Sequence, residues 1–486
     1  MINGKYRRLA IIAGPSGALL LVALLPATVS DGGGQVVALD PGTRIVMAIT
    51  LWMAVWWITE AIPMAVTALL PIALLPVLGI VPFEVAAGAY AHPLIFLFFG
   101  GFLLSIAIQK WDLHRRFAAS LLRRVGNDPK RLVGGFMVVT AFLSMWLSNT
   151  ATTIMMLPVA LSILGTNERA SDFAKCLLLS VAYSASIGGM GTIIGTPPNL
   201  YVASYFNDVL GLEIGFLTWM LIGVPCVALL LPAAWFYLTR IQFSLPAAVA
   251  VDTGGIVGQG LVWRKLEHGG RVTLIVFAAV VCAWITRPWI AQLSIFGITP
   301  LAHLSDAGIA LIGACSLFVI PVDLRQGRFV LDWPDTHDLP WGTLILFGGG
   351  LSLAAAINVT GADQVIGVWI SHLPSLPPVV LVMIIVALVI VLTELTSNIA
   401  TTATLVPVLA AAAPLLRVDT QMLIIMVALA ASCAFMLPVA TPPNAIVFGS
   451  GRISAADMAA AGVGMNVLGL IVIGLIGYGL IPLVVH

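Results

Sequence analysis

Apolar runs long enough to cross a bilayer set the pattern of this chain. They recur at 9–29, 216–239, 272–290 and 461–485, and short polar clusters between them set direction. Lys5, Arg7 and Arg8 precede the first run and predict a cytoplasmic N-terminus. No small-residue cleavage site follows that run, so it is expected to be retained as a span. Runs at 45–59, 61–80 and 92–110 then alternate across, with "TEAIP" (Glu60, Pro63) at the turn between the first two. The third leads into "HRRFAASLLRRVGNDPKR", residues 114–131. Its basic residues and the apolar face of Leu113, Phe117, Leu121 and Leu122 predict an amphipathic helix lying in the membrane interface.

Residues 132–167 carry no charge, yet Lys130 and Arg131 flank one end and Arg169 and Lys175 the other. A full crossing would strand one basic cluster outside. A re-entrant hairpin turning at Ser148-Asn149-Thr150 keeps both inside. Non-helical backbone at membrane depth is tolerated where protein or a water-lined cavity satisfies it, and a polar tip suits such a place. Further runs at 174–206, 216–240, 272–290, 305–321 and 339–358 cross. A second hairpin at 376–416, with Ser397 and Asn398 near its tip, dips from the opposite side before 421–451 and 461–485 complete the chain. The pattern predicts an all-α polytopic membrane protein of about eleven transmembrane helices plus two re-entrant helical hairpins, with its C-terminus outside.

Composition agrees. Of 486 residues, 60% are hydrophobic and 9% charged, which excludes an ordinary soluble domain. A net charge of +1 gives no field that would gather nucleic acid. The five cysteines are scattered without a C-x-x-C, and His92, His268, His303, His337 and His372 are dispersed without metal spacing. The serines and threonines at the hairpin tips have no His or Asp beside them, which argues against an intramembrane enzyme.

The polar clusters occur in pairs. "SNTATT" at 148–153 answers "SNIATT" at 397–402. "FFGGF" at 98–102 answers "LFGGGL" at 346–351, and "GTPPN" at 195–199 answers "ATPPN" at 440–444. Three landmarks in one order at nearly equal spacing predict a repeat, inverted because the hairpins enter from opposite sides. The expected organisation is an N-terminal span (1–44), a first repeat (45–240, with hairpin 131–167 and broken helix 174–206), a cytoplasmic linker (241–271) and a second repeat (272–486, with hairpin 376–416 and broken helix 421–451).

Each Pro-Pro pair interrupts an apolar run, since proline lacks the amide donor and clashes with the preceding turn. The broken ends expose carbonyls, which suit a small hard cation, and amides, which suit an anion. No Lys or Arg lies in either hairpin core or Pro-Pro loop, so an anionic substrate needs charge compensation from bound cations, with sodium the natural candidate. Glu394, in "TELTSN", is the acidic residue near the tips; it reads as a hydrogen-bonded brace or as a proton carrier. Glu60 reads as an anchor at a membrane edge. Trp52, Trp56 and Trp57 are spaced to pack a scaffold face or a subunit contact, and Gly348–Gly350 reads as helix packing, because no Lys-Ser/Thr follows.

On "SNTATT", "GTPPN", "TSNIATT" and "TPPN", supported by "TEAIP" and "LHRRFA", the chain resembles the divalent anion/sodium symporter family over roughly 45–485. The resemblance implies sodium-coupled import of di- or tricarboxylates (succinate, malate or fumarate-like) across the inner (plasma) membrane, with sodium-independent exchange of dicarboxylate or citrate as the alternative. It implies an elevator mechanism, in which a dimeric scaffold holds still while hairpins and broken helices move in the bilayer. By the same resemblance, one sodium is expected at Ser144, Ser148, Asn149 and the backbone of Gly195. A second is expected at Thr393, Thr396, Asn398 and the backbone of Ala440, with position 396 acting through its carbonyl. Substrate carboxylates are expected at Asn149, Thr150, Ser397, Asn398, Thr441 and Pro442, with Thr196 nearby. One departure stands out: many bacterial members have Thr where this chain has Ile399.

Overall fold

The computed structural model describes residues 4–26, 28–30, 36–122, 126, 128–164, 171–247, 266–294, 298–362, 365 and 376–485. Arg169, His372 and most of the expected linker 241–271 lie outside the described residues. Among the described residues, eight helices are long and apolar enough to cross a membrane. They are Arg7–Leu24, Pro41–Thr59, Phe83–Lys110, Phe216–Gln242, His268–Ile290, Trp341–Val359, Pro378–Leu395 and Ala455–Val484. The other apolar runs form shorter helices, among them Asn149–Leu164, Asp306–Val319, Asn398–Ala412 and Thr420–Ala431. The described strands are confined to two small antiparallel pairs, Thr28–Ser30 with Val36–Ala38 and Pro321–Asp323 with Arg328–Phe329.

The run 61–80, expected as one span, is two short helices, Met64–Thr67 and Leu70–Val77. Pro71 at the start of the second supplies no amide to the turn before it, which favours a new helix there. Glu60 closes the preceding helix in the left-handed conformation at φ 46°, so it does sit at a helix end. The amphipathic helix forms at Leu113–Leu122. Leu113 is buried and Arg115 exposed, and Phe117 packs on Phe142 of the first hairpin with ring centroids 5.9 Å apart.

The paired glycines are packing devices. On helix Trp341–Val359, Gly348 faces the Tyr90 ring, Gly349 the backbone of Ala68, and Gly350 the Tyr201 ring. On helix Pro93–Lys110, Gly100 faces Ala310 and Gly101 faces Ile194. Phe98 and Phe347, which precede the two glycine motifs, meet edge to face with centroids 5.5 Å apart. The tryptophans clamp the N-terminal helix. Trp52 and Trp56 close around Gly14, and Trp56 Nε1 donates to the Ala10 carbonyl at 3.2 Å. Buried Trp57 donates to the Met64 carbonyl at 3.3 Å.

No side chain fits at position 349 without moving the Ala68 backbone. Gly349→Val is therefore expected to destabilise the protein by about 1–3 kcal/mol through overpacking. A melting curve in detergent checks this, and an unchanged midpoint would contradict the packing.

Candidate transport site

The first hairpin consists of helices Pro129–Ser144 and Asn149–Leu164. Asp128 caps its start, accepting from the Lys130 and Arg131 amides at 2.8 and 3.3 Å. The turn occupies 145–148, slightly earlier than expected, because Ser148 is itself a cap: its Oγ accepts from the Ala151 amide at 3.2 Å. Asn149 and Thr150 thus open the second arm. Ser144 Oγ donates to Asn149 Oδ1 at 2.7 Å, and Thr153 Oγ1 donates to the Asn149 carbonyl at 2.8 Å.

The broken helix beside it comprises Asp172–Gly189 and Pro197–Asp208, joined by the non-helical segment 190–196. Buried Asn199 clamps this joint, its Nδ2 donating to the carbonyls of Gly189 and Thr192 at 2.9 and 2.8 Å. Thr192 Oγ1 ties the joint to the hairpin by donating to the Met145 carbonyl at 2.5 Å. A Cβ built on Gly189 would lie 2.5 Å from Asn149 Oδ1 and 3.1 Å from the Gly195 carbonyl oxygen. The missing side chain is what lets Asn149 and Gly195 approach the same point.

The second half repeats these contacts. Helices Pro378–Leu395 and Asn398–Ala412 form the hairpin, and Ser397 caps the second arm, its Oγ accepting from the Ala400 amide at 3.4 Å. Thr393 Oγ1 lies 2.8 Å from Asn398 Oδ1 and 2.8 Å from the Ala431 carbonyl, bonding hairpin to broken helix. Thr402 Oγ1 donates to the Asn398 carbonyl at 2.8 Å. The second break separates Thr420–Ala431 from Pro442–Phe448. Asn444 Nδ2 donates to the carbonyls of Ala434 and Leu437, both at 3.0 Å. Those carbonyls lie 10 and 7 residues upstream, the same offsets as in the Asn199 clamp.

The Thr396 hydroxyl is occupied internally, 3.0 Å from the Leu392 carbonyl and 2.6 Å from Thr401 Oγ1. Thr196 and Thr441 stand at matching positions just before the second half-helices, with φ −146° and −139°. Thr441 Oγ1 accepts from the Asn444 amide at 3.3 Å. The two joints differ in exposure: 190–196 is buried throughout, whereas Val439 and Pro442 at the second joint are exposed.

Glu394 is buried and braces the second joint. Its Oε1 accepts from the amides of Phe435 and Met436 at 2.7 and 2.8 Å and from Asn466 Nδ2 at 2.8 Å. Its Oε2 accepts from the Leu437 amide at 3.1 Å. Each of these partners is a donor. No cationic side chain is among the partners of the motif residues described above. The positive ends of helices Asn149–Leu164, Pro197–Asp208 and Asn398–Ala412 start at the motifs instead.

Sequence reasoning missed the two clamps. Their signal was the final letter of each "TPPN", an Asn placed where two broken carbonyls need a donor.

A family model described as "Citrate transporter" matches residues 54–423. The chain belongs to this family of transporters. The sodium-dependent dicarboxylate transporter SdcS of Staphylococcus saprophyticus is 39% identical over 466 residues, covering 92% of this chain and 86% of that one. The protein of the same name from Staphylococcus aureus strain USA300 is 40% identical over 457 residues, covering 90% and 86%. These matches bear out the resemblance to divalent anion/sodium symporters. The YdaH transporter of Alcanivorax borkumensis shares the fold, with a TM-score of 0.59 over 97% of each chain at 14% identity.

Removing one clamp strips the Gly189 or Ala434 carbonyl of its side-chain donor and leaves the Thr192 or Leu437 carbonyl with the Gly195 or Ala440 amide alone. Asn444→Ala and Asn199→Ala are each expected to cut transport at least about tenfold, since an unmade buried hydrogen bond costs about 1–3 kcal/mol. Uptake at the wild-type rate in either variant would contradict the role of the clamps.

Proposed function

We propose that the protein imports di- or tricarboxylate anions of the succinate, malate and fumarate type together with sodium. The observation that carries this reading is the pair of neutral oxygen clusters, Ser144–Asn149 beside Gly195 and Thr393–Asn398 beside the second joint. Hydroxyl, amide and carbonyl oxygens suit a hard monovalent cation. The names of the relatives support sodium as the coupling ion and dicarboxylate as the substrate.

In this reading Ser144, Ser148, Asn149 and the Gly195 carbonyl take one sodium. Thr393, Asn398 and the carbonyls of Thr396 and Ala440 take another. The anion then meets Asn149, Thr150, Thr196, Ser397, Asn398, Thr441 and Pro442, at helix ends whose dipoles favour it. Coupling follows from charge. A divalent anion with no cationic side chain beside it is costly to carry through a low-dielectric layer, and two sodium ions remove that cost.

The recurring clamps and the meeting of Phe98 with Phe347 support inverted repeats related by an axis near those rings. One wholly buried and one partly exposed joint suit a carrier open to one side, with hairpins and broken helices moving against a scaffold as an elevator. The reading also includes a homodimer in the plasma membrane, N-terminus cytoplasmic and C-terminus outside.

Purified protein in liposomes tests it. Radiolabelled succinate should accumulate under an inward sodium gradient, not with choline, and Asn149→Ala should abolish the uptake. Uptake indifferent to sodium but stimulated by internal dicarboxylate would replace symport with exchange. Ile399 is half-buried and offers no hydrogen bond at the second tip. Ile399→Thr is expected to tighten four-carbon dicarboxylates about tenfold, since a hydrogen bond to a charged group is worth about 1.5–3 kcal/mol. An unchanged substrate ranking would remove that role.

A further inference from the structure

The two joints solve one problem in different ways. In the first, the amides of Met190 and Gly191 are taken by the preceding turn, donating to the carbonyls of Ile187 and Gly188 at 3.1 and 2.9 Å. Aligned on the Asn clamps, their counterparts are Phe435 and Met436. The second helix, however, ends at Ala431, earlier relative to its clamp than Gly189 does in the first. The amides of 435, 436 and 437 therefore have no helical turn behind them, and the Glu394 carboxylate accepts all three. The residue at the same distance before Asn149 is Met145, which offers only its backbone carbonyl to Thr192.

The bonds continue from Glu394 toward the cation position. Leu437 donates its amide to Glu394, and its carbonyl accepts from the Ala440 amide at 3.2 Å and from Asn444 Nδ2 at 3.0 Å. Leu437 thus links the carboxylate to Ala440, the residue whose carbonyl the sodium reading assigns to the second cation.

Resting on the sodium reading above, we propose that Glu394 is a positioning residue for the second cation. It stands in for a missing turn of helix, fixes the path of 435–437, and so sets the Ala440 carbonyl. This is a structural task for a carboxylate in an apolar core, distinct from proton carriage, and it makes the two half-sites unequal. The first is held by neutral groups, and the second depends on one acidic side chain.

Two variants separate position from charge. Glu394→Gln keeps the length but turns one acceptor into a donor. Glu394→Asp keeps the charge but is a methylene too short for the three amides. Both are expected to raise the sodium concentration for half-maximal succinate uptake about tenfold, the value of one hydrogen bond to a charged group. Succinate KM at saturating sodium should stay within about twofold. Amide exchange at 435–437 should accelerate in both.

Sodium dependence retained by Asp and lost only by Gln would show that charge alone matters and overturn the proposal. Loss of maximal rate with unchanged sodium dependence would overturn it as well. If neither variant folds, Asn466→Ala removes a single donor from the carboxylate. It should shift sodium dependence about threefold in the same direction, as suits the loss of one ordinary hydrogen bond. An unshifted curve would overturn the proposal. Wild-type uptake indifferent to sodium would sink the symport reading itself. A sodium-dependent wild type with unshifted variants would sink the role of Glu394 alone.

Discussion

Backbone amides and carbonyls released from a helix inside an apolar interior must find partners within the protein. The joints at 190–196 and 432–441 are arranged around that requirement. Asn199 and Asn444 each take two carbonyls, Thr192 and Thr393 tie each joint to its hairpin, and Glu394 takes the amides of the second. Once those groups are satisfied, the Gly195 and Ala440 carbonyls and the tip oxygens are the neutral oxygens that the proposed sodium sites use. The helix ends at Asn149, Pro197 and Asn398 remain as weak positive poles.

The distribution of charge follows from the same economy of partners. Ion pairs occur at helix ends and loops, such as Lys110 with Asp335 at 2.6 Å and Lys175 with Asp457 at 2.7 Å. The tips and joints contain Glu394 and no basic residue. A site built this way has little fixed charge with which to hold an anion, and a mobile cation supplies it. In the proposed reading, binding of the two solutes is coupled by electrostatics.

Much of this was legible in the sequence because polar residues inside apolar runs are conspicuous. Ser148-Asn149, Ser397-Asn398 and both Pro-Pro pairs marked hairpin tips and breaks, and each lies at a helix start in the structure. The bonding partners were not legible, because they are tertiary. Nothing local to Asn199 says that it reaches back to Gly189, and nothing in "TELTSN" says that Glu394 meets 435–437. The run 61–80 was misread as one span because hydropathy does not register that Pro71 begins a new helix. The earlier end of the helix at Ala431 was hidden too, since Ser432, Cys433 and Ala434 are small, like Gly188 and Gly189 in the turn that stays wound in the first repeat.

The central claim is that two joints, similar in bonding, create two cation sites serving one anion. The number of sodium ions moved per anion tests it most directly. Radiolabelled sodium and radiolabelled succinate uptake should be recorded together in the same liposomes as the sodium gradient is varied. The account predicts at least two sodium ions per succinate. One sodium ion, or none, would contradict it.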